Sequence, residues 1–433
     1  MAENVSGRKR RKVVILGGGF AGLTAARTLR SVPVEVILVD RTNHHLFQPL
    51  LYQVATAMLA PTDITAPIRW VLRRQRNARV IMAEARGVDV ARRVVLIDGG
   101  TELSYDFLIV ATGCRHAYFG HDEWEPDAPG LKSISDALDM RRRFLLAFEE
   151  AEKCEDDDLR SAWQTFVIVG GGPTGVELAG MLPEIARGAM RNDFRRIDTR
   201  RTRVILLEGG LGILVSFPPE LSHRAARDLA ELGVEVRTNA LVTRIERDAV
   251  YVGSERIPTH TVFWAAGNVS SPLGKSLNAP LDGAGRVQVE PDLSLPDHPE
   301  IFVAGDLAAV VQDGKLVPGV APAANQEGKT AARNIALTLE GKPRRNFRYF
   351  NKGNLATIGR SRAIAEFGRV HFAGRVAWWM WLGVHIMYLV GFRNRLSVLL
   401  QWGYAYFTYQ RGARLIEEPA MSSWRRSSGQ ANG

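Results

Sequence analysis

Val13-Val-Ile-Leu-Gly-Gly-Gly-Phe-Ala-Gly22 joins a β-branched apolar run to a glycine-rich turn, and the residues after it predict a helix over Leu23 to Arg30. Gly17, Gly19 and Gly22 stand at the G-x-G-x-x-G spacing. In that pattern the first glycine permits a tight turn and the second lets backbone approach a pyrophosphate. The third lets helix and strand pack closely, and the helix N-terminus then faces the phosphate charge. A second predicted strand, Val34 to Val39, ends in Asp40, eighteen positions beyond Gly22, about where a carboxylate meets a ribose hydroxyl. The glycine spacing alone is a weak signal. Strand, glycines, helix, strand and acid in this order predict a dinucleotide site.

The same device recurs. Phe166-Val-Ile-Val169 leads into Gly170, Gly172 and Gly175, with a helix expected from near Val176, and Val204-Ile-Leu-Leu-Glu208 supplies a second strand ending in an acid. Two fingerprints mean two dinucleotides or a duplication with one dead copy. Both copies keep every glycine and the terminal acid, so two live sites are expected.

At 433 residues the chain is too long for one ordinary core, and its 46% apolar content is that of a folded protein. Two cysteines, Cys114 and Cys154, exclude a disulfide framework and fit a reducing compartment. The net charge of +10 asks for an acidic partner: nucleic acid, anionic lipid or a phosphate-bearing cofactor. The basic residues form no compact patch interleaved with aromatics, so no nucleic-acid partner is expected. The polar, basic stretch Met1 to Lys12 does not read as a signal peptide.

Between the fingerprints, Leu46 to Arg69 reads as a loop with short helices, and Arg79 to Met82 and Val94 to Ile97 as short strands. Tyr105 to Val110 reads as a buried strand running into the small-residue turn Ala111-Thr-Gly113, and Phe263-Trp-Ala-Ala-Gly267 repeats that turn after the second fingerprint. Residues 130–164 read as a charged helical connector whose acidic patch, Glu155 to Asp158, is expected as a solvated loop. Glu184 to Arg203 reads as an extended helix plus loop. Ile301-Phe-Val-Ala-Gly-Asp306 ends an apolar strand in a carboxylate, at the strand end where ligands bind in α/β sheets; a helix N-cap is the alternative for Asp306. A helix over Ala321 to Leu339 follows, and Asn351 to Gly359 looks like one strand of a hairpin.

The C-terminal part changes character. Val376 to Phe392 is seventeen residues without Lys, Arg, Asp or Glu and carries Trp378, Trp379, Trp381, Tyr388 and His385. Leu396 to Tyr409 adds Trp402, Tyr404, Tyr406, Phe407 and Tyr409, before Arg411 and Arg414. A seventeen-residue helix reaches about 26 Å, short of the roughly 30 Å hydrocarbon core. Tryptophan, tyrosine and flanking arginine favour the lipid–water interface, so residues 376–409 are read as two interfacial helices that contact membrane lipid without spanning it.

The strings VVILGGGFAGL, PLLYQVATAMLAPTDI, YDFLIVATG, VIVGGGPTGVELAG, FVAGDLA and NKGNLATIG, with GFRNR and RGARLI in the tail, resemble the type II NADH dehydrogenases. These are single-subunit, non-proton-pumping NADH:quinone oxidoreductases. The likeness runs from Lys12 to Ile416. It implies an α/β fold with two Rossmann-like dinucleotide-binding domains and a membrane-associating C-terminal region: FAD-binding residues 12–165 and 286–345, NADH-binding residues 166–285, and an anchor over 346–433. It places Gly17, Gly19, Phe20, Ala21, Gly22, Asp40, Arg41, Thr112, Gly113, Asp306 and Ala324 at FAD. On the NADH side it places Gly170, Gly172, Thr174, Gly175, Glu208, Ala266 and Gly267. Glu208 without a following arginine implies NADH over NADPH. Glu177 is implied near nicotinamide and flavin, with a dipole-stabilised glutamate in the first helical turn as the alternative. Gln326 and Lys352 are implied near flavin or quinone. One departure stands out: Ala321-Pro-Ala-Ala-Asn-Gln326 carries Pro322 where the family often has a first glutamine.

No metal site is expected. The expected assembly is a homodimer, peripheral on the cytoplasmic side of the cell inner membrane, with ubiquinone or menaquinone as acceptor. The rivals are a flavin disulfide or sulfide reductase, which Cys114 and Cys154 do not suit at forty positions apart, a ferredoxin-type reductase, for which the aromatic tail has no use, and a redox sensor that is reduced and then stalls.

Overall fold

The computed structural model describes residues 10–408 and 414–416. They form two compact units, each assembled from three stretches of chain. One takes the described residues up to Phe47 with Thr65–Ala117 and Gly267–Gly353, and the other takes Gln48–Ile64, Tyr118–Ala266 and the described residues from Asn354 onward.

The first unit is built on five parallel strands in the order Ile301–Val303, Phe107–Val110, Arg11–Leu16, Val34–Asp40 and Ala78–Met82. Val13, Val14, Ile15 and Leu16 are all fully buried, the uninterrupted apolar run of a parallel strand covered on both faces. The helix after the first fingerprint is Phe20–Thr28 and starts three residues earlier than the sequence suggested. The turn residues themselves enter the helix, with the Leu23 N–H donating to the Gly19 carbonyl at 3.0 Å. Helix Ala321–Leu339 has the expected bounds and lies against it. A Cβ on Gly328 would meet the Ala21 carbonyl oxygen at 2.1 Å, so glycine alone permits this approach.

The second unit repeats the plan with four parallel strands in the order Val234–Arg237, Arg203–Leu207, Thr165–Val169 and Thr261–Trp264. The helix after the second fingerprint, Pro173–Glu184, also begins ahead of the expected Val176, because proline suits the first helical turn, where its missing N–H costs nothing. Pro183 then interrupts the hydrogen-bond ladder. The helix runs on through one wide turn, Ile185–Ala189, in which the Met190 N–H donates to the Ile185 carbonyl at 3.0 Å. The extended helix expected over Glu184 to Arg203 is therefore only this turn, followed by loop and the short 3-10 turn Thr199–Arg201. Glu155 to Asp158 are exposed as expected, but Asp156 caps helix Asp157–Trp163 by accepting from the Leu159 N–H, so the patch is partly a helix start.

The units divide the chain differently from the stretches expected. Residues 118–165 join the second unit, since Phe144 of helix Ile134–Lys153 packs on Phe166 of the central strand, with ring centroids 4.9 Å apart. Residues 267–285 join the first, where Leu273 and Leu277 enter the core of the five-stranded sheet. Residues 354–373 form an antiparallel meander of strands Asn354–Gly359, Arg362–Phe367 and Val370–Ala373 that sits on helix Pro173–Glu184. Gly180 is the contact point: a Cβ there would lie 1.5 Å from the Ile358 carbonyl oxygen.

The apolar stretch read as one helix over Val376 to Phe392 is broken. Helix Arg375–Tyr388 stops, Gly391 turns the chain at φ +93°, and helix Phe392–Thr408 follows. Tyr409 and Arg411 lie outside the described residues, as does the side chain of Phe407. Among the described residues no helix is long and apolar enough to cross a membrane.

Candidate functional site

The two glycine turns share one construction. Gly17 and Gly170 adopt φ of +100° and +108°, the left-handed region that favours glycine. A Cβ on Gly17 would fall 2.2 Å from the Ala111 carbonyl oxygen, and one on Gly170 2.7 Å from the Ala265 carbonyl carbon. The two small-residue turns noticed in the sequence thus abut the first glycine of each fingerprint. Gly22 and Gly175 have no room for a Cβ either, at 1.8 and 1.9 Å from the carbonyl oxygens of Gly17 and Gly170. Gly19 and Gly172 face open space. Each turn therefore leaves backbone free for a ligand only at its second glycine.

The two acids act alike as well. Asp40 accepts from the Gly18 N–H at 2.6 Å and from the Thr42 N–H and hydroxyl, both at 2.7 Å. Glu208 accepts from the Gly171 and Gly210 N–H groups, both at 2.6 Å. Each carboxylate fixes the glycine turn as well as standing at the strand end, a role the spacing did not reveal.

In the first unit the expected residues Ala21 and Ala324 are buried and cluster with Ala111 and Ala304, with Phe20 packed alongside. Thr112 carries a buried hydroxyl with no hydrogen-bond partner among the described residues, and a Cβ on Gly113 would meet nothing. An orphaned hydroxyl beside open glycine backbone fits a group with polar ring edges such as a flavin. Asp306 does not cap a helix; it lies in a turn, where the Cys114 thiol donates to its carboxylate at 3.1 Å. Arg41 and Lys352 are exposed. The Gln326 amide is occupied by the chain itself: its nitrogen donates to the Pro322 and Phe350 carbonyls at 3.2 and 3.0 Å, and its oxygen accepts from the Phe350 N–H at 2.9 Å.

Two residues of this unit were not singled out from the sequence. Buried His45 has its Nδ1 2.9 Å from the Gly18 carbonyl and packs edge-on against Phe20. Burial holds its pKa below the usual histidine range, against the pull of that carbonyl and of Asp40, so the ring is neutral. Buried Glu327 accepts from the Gly305 N–H at 2.5 Å, beneath the Gly305–Asp306 turn. Burial pushes its carboxyl up to about 7; the Gly305 N–H opposes this and Asp306 adds to it. The adjacent His44–His45 pair and a lone glutamate in an alanine-rich helix were the available signals.

In the second unit Glu177 sits one turn before Gly180 on helix Pro173–Glu184. Burial raises its carboxyl well above the usual range, against a backbone hydrogen bond with Thr357 of the meander. Thr174 is half-buried at the start of that helix, and Ala266 is half-buried after strand Thr261–Trp264; Gly267, exposed, belongs to the first unit.

Thr357 also lines an open cleft. Its aromatic wall is Tyr52, Trp378, Trp381, Trp402 and Tyr406, and Gln53, Glu184 and Arg360 supply polar groups. Helix Phe392–Thr408 is held in place by polar bonds. The Trp402 indole donates to Gln53 at 2.7 Å, and Ser397 and Gln401 donate to buried Asp63 at 2.8 and 3.0 Å. Residues 48–64 are thus the seat of the C-terminal helix. The His385 Nδ1–H donates to the Trp381 carbonyl at 2.7 Å and the ring stacks on its indole; burial lowers its pKa to about 4 and keeps it neutral.

The family described as pyridine nucleotide-disulphide oxidoreductase matches residues 11–328, and the NDH2 C-terminal domain family matches residues 351–408. The chain is 44% identical over 425 residues to the type II NADH:quinone oxidoreductase Ndh of Mycobacterium tuberculosis, covering 95% of this chain and 91% of that protein. It is 29% identical over 390 residues to the type II NADH:quinone oxidoreductase of Haemophilus influenzae, covering 82% and 87%. Among solved structures, NDH2 from Plasmodium falciparum in complex with NADH shares the fold at a TM-score of 0.86 and 19% identity, over 94% of this chain and 100% of that one. The sulfide:quinone oxidoreductase of Aquifex aeolicus does so at 0.71 and 20% identity, over 94% and 96%.

Glu327 makes a pH prediction. Its folded pKa of about 7 exceeds the ordinary 4.5, so the folded state keeps a proton that the unfolded state has released. Its contribution is full below pH 4.5 and is lost as pH rises through 7. Glu327→Gln removes this dependence. The stability advantage of the unaltered protein over the variant, from urea unfolding, should fall by about 2 kcal/mol between pH 5 and pH 7. A constant difference contradicts the assignment.

Proposed function

The chain belongs to the type II NADH:quinone oxidoreductases, and from that membership we propose which residues hold its cofactor and substrates and how it meets a membrane. As a member it is an FAD-dependent enzyme that passes electrons from NADH to a quinone without pumping protons. When bound, FAD would supply the redox chemistry between NADH and quinone, while the protein supplies orientation and electrostatics.

In this reading the first unit holds FAD. Gly17, Gly19, Phe20, Ala21 and Gly22 cradle the pyrophosphate, Asp40 and Arg41 stand at the adenosine ribose, and Thr112, Gly113, Asp306 and Ala324 lie along the rest of the cofactor. The second unit receives NADH at Gly170, Gly172, Thr174 and Gly175, with Glu208 at the ribose and Ala266 at the following turn. Glu177, whose carboxyl burial pushes toward the protonated form, is a proton reserve at the nicotinamide side. Gln326 acts by clamping the backbone at Phe350, which orders the approach to Lys352; the substitution at Pro322 leaves no pair of glutamines.

The cleft beside Thr357 is the proposed quinone site. The observation that carries this reading is the cleft itself, walled by flat aromatic rings suited to stacking on a quinone and reaching the residue that bonds Glu177. Its mouth is formed by the C-terminal helices, whose other faces present apolar side chains to solvent: Trp379 is 62% exposed, Met387 72%, Phe392 80% and Leu400 65%. Such a face, with arginines at the helix ends, suits a lipid surface that delivers an apolar substrate. A homodimer on the cytoplasmic side of the inner membrane, with ubiquinone or menaquinone as acceptor, completes the proposal.

Three outcomes test it. Ala405→Trp, which fills the cleft from helix Phe392–Thr408, should raise the KM for a short-chain quinone by at least about tenfold while the KM for NADH changes little; an unmoved quinone KM rejects the site. Glu208→Gln should narrow the NADH-over-NADPH preference, since the lost charge no longer repels a 2′-phosphate; an unchanged ratio of kcat/KM rejects that role. The double variant Trp379→Ser, Leu400→Ser removes two exposed apolar anchors, each worth about 1.5–3 kcal/mol when buried, and should lower binding to anionic vesicles by at least about tenfold in a sedimentation assay. Unchanged sedimentation rejects the lipid face.

A further inference from the structure

Two tryptophans meet at the cleft, with ring centroids 5.3 Å apart, and their indole N–H groups fare differently. That of Trp402 donates to the Gln53 side chain at 2.7 Å. That of Trp381 is buried and has no acceptor among the described residues, although Trp381 is only 2% exposed. Its ring is fixed between Trp402 and His385, 4.3 Å from the latter, and His385 is itself tied to the Trp381 backbone carbonyl at 2.7 Å. Indole nitrogen is a donor only, and a buried donor left unpaired is costly. The fold holds this cost in a rigid ring at the wall of an open cleft.

We propose that the Trp381 indole N–H is the hydrogen-bond donor that anchors a carbonyl oxygen of the bound quinone. The inference rests on the reading of the cleft as the quinone site and adds the contact that orients the ring there. A quinone suits the donor because it brings two carbonyl acceptors and no donor of its own, on a flat ring that stacks against the same aromatic wall. Gln53 does not serve this donor: its side-chain oxygen accepts from Trp402 and its nitrogen donates to the Tyr52 hydroxyl at 2.9 Å. Trp381 is a binding residue in this account, and no proton leaves it.

Trp381→Phe keeps a ring against Trp402 and His385 and deletes only the N–H and part of the indole. Three readouts are expected from the FAD-loaded full chain. The KM for a short-chain benzoquinone rises roughly three- to tenfold, the range of one neutral hydrogen bond, while the KM for NADH moves much less. The quinone-free melting temperature of the variant falls only by what trimming the packed ring costs, because no protein bond is lost. In ¹⁵N-indole spectra, the resonance absent from Trp381→Phe shifts when the quinone is added to the unaltered protein.

The outcomes separate the two claims. If Ala405→Trp raises the quinone KM but Trp381→Phe does not, and the indole resonance stays still, the donor role is overturned and the cleft reading stands. If neither variant moves the quinone KM, the cleft reading fails and the donor role falls with it.

Discussion

A strand, a turn and a helix must approach until backbone touches backbone, and everything else in this chain is arranged to allow it. Gly22 against the Gly17 carbonyl and Gly175 against the Gly170 carbonyl leave less than 2 Å for any Cβ. That closeness aims a helix N-terminus at the mouth of each parallel sheet and leaves Gly19 and Gly172 as the open backbone where phosphate can lie. The acids at the ends of the neighbouring strands, Asp40 and Glu208, then bond back to Gly18 and Gly171 and hold the turns in shape. The same close approach recurs where Gly328 meets Ala21 and where Gly180 meets Ile358, so glycine contacts also seat the long helix of the first unit and the meander of the second.

Much of this was legible in the sequence because it is local. A β-branched run, glycines at fixed spacing and an acid at the next strand end are consequences of one short piece of backbone geometry. Both parallel sheets appeared where those runs lay, and helix Ala321–Leu339 kept its expected bounds. Even the repeated small-residue turns were visible, although their reason, contact with Gly17 and Gly170, was not.

What the sequence hid is non-local. Nothing near Gly180 says that a strand 174 residues further on will rest on it, yet that contact brings Thr357 to Glu177. His45 and Glu327 matter through the carbonyl of Gly18 and the N–H of Gly305, partners that only folding supplies. The aromatic tail was read correctly as helical, but its charge-free run was taken as continuous, and the left-handed Gly391 divides it. The polar bonds from Asp63 and Gln53 to helix Phe392–Thr408 explain why that tail packs with one face and leaves the other apolar and exposed. The unit boundaries shifted for a related reason: connectors go where their aromatic residues are buried, as Phe144 does against Phe166.

The central claim is that one chain couples two nucleotide sites to quinone reduction. Its most direct test is to mix the FAD-loaded protein with NADH without oxygen, follow the flavin absorbance, and then add a short-chain quinone. Bleaching by NADH followed by rapid recovery with quinone is the predicted result. Bleaching that persists after quinone is added would contradict the account, and so would a flavin that NADH does not bleach.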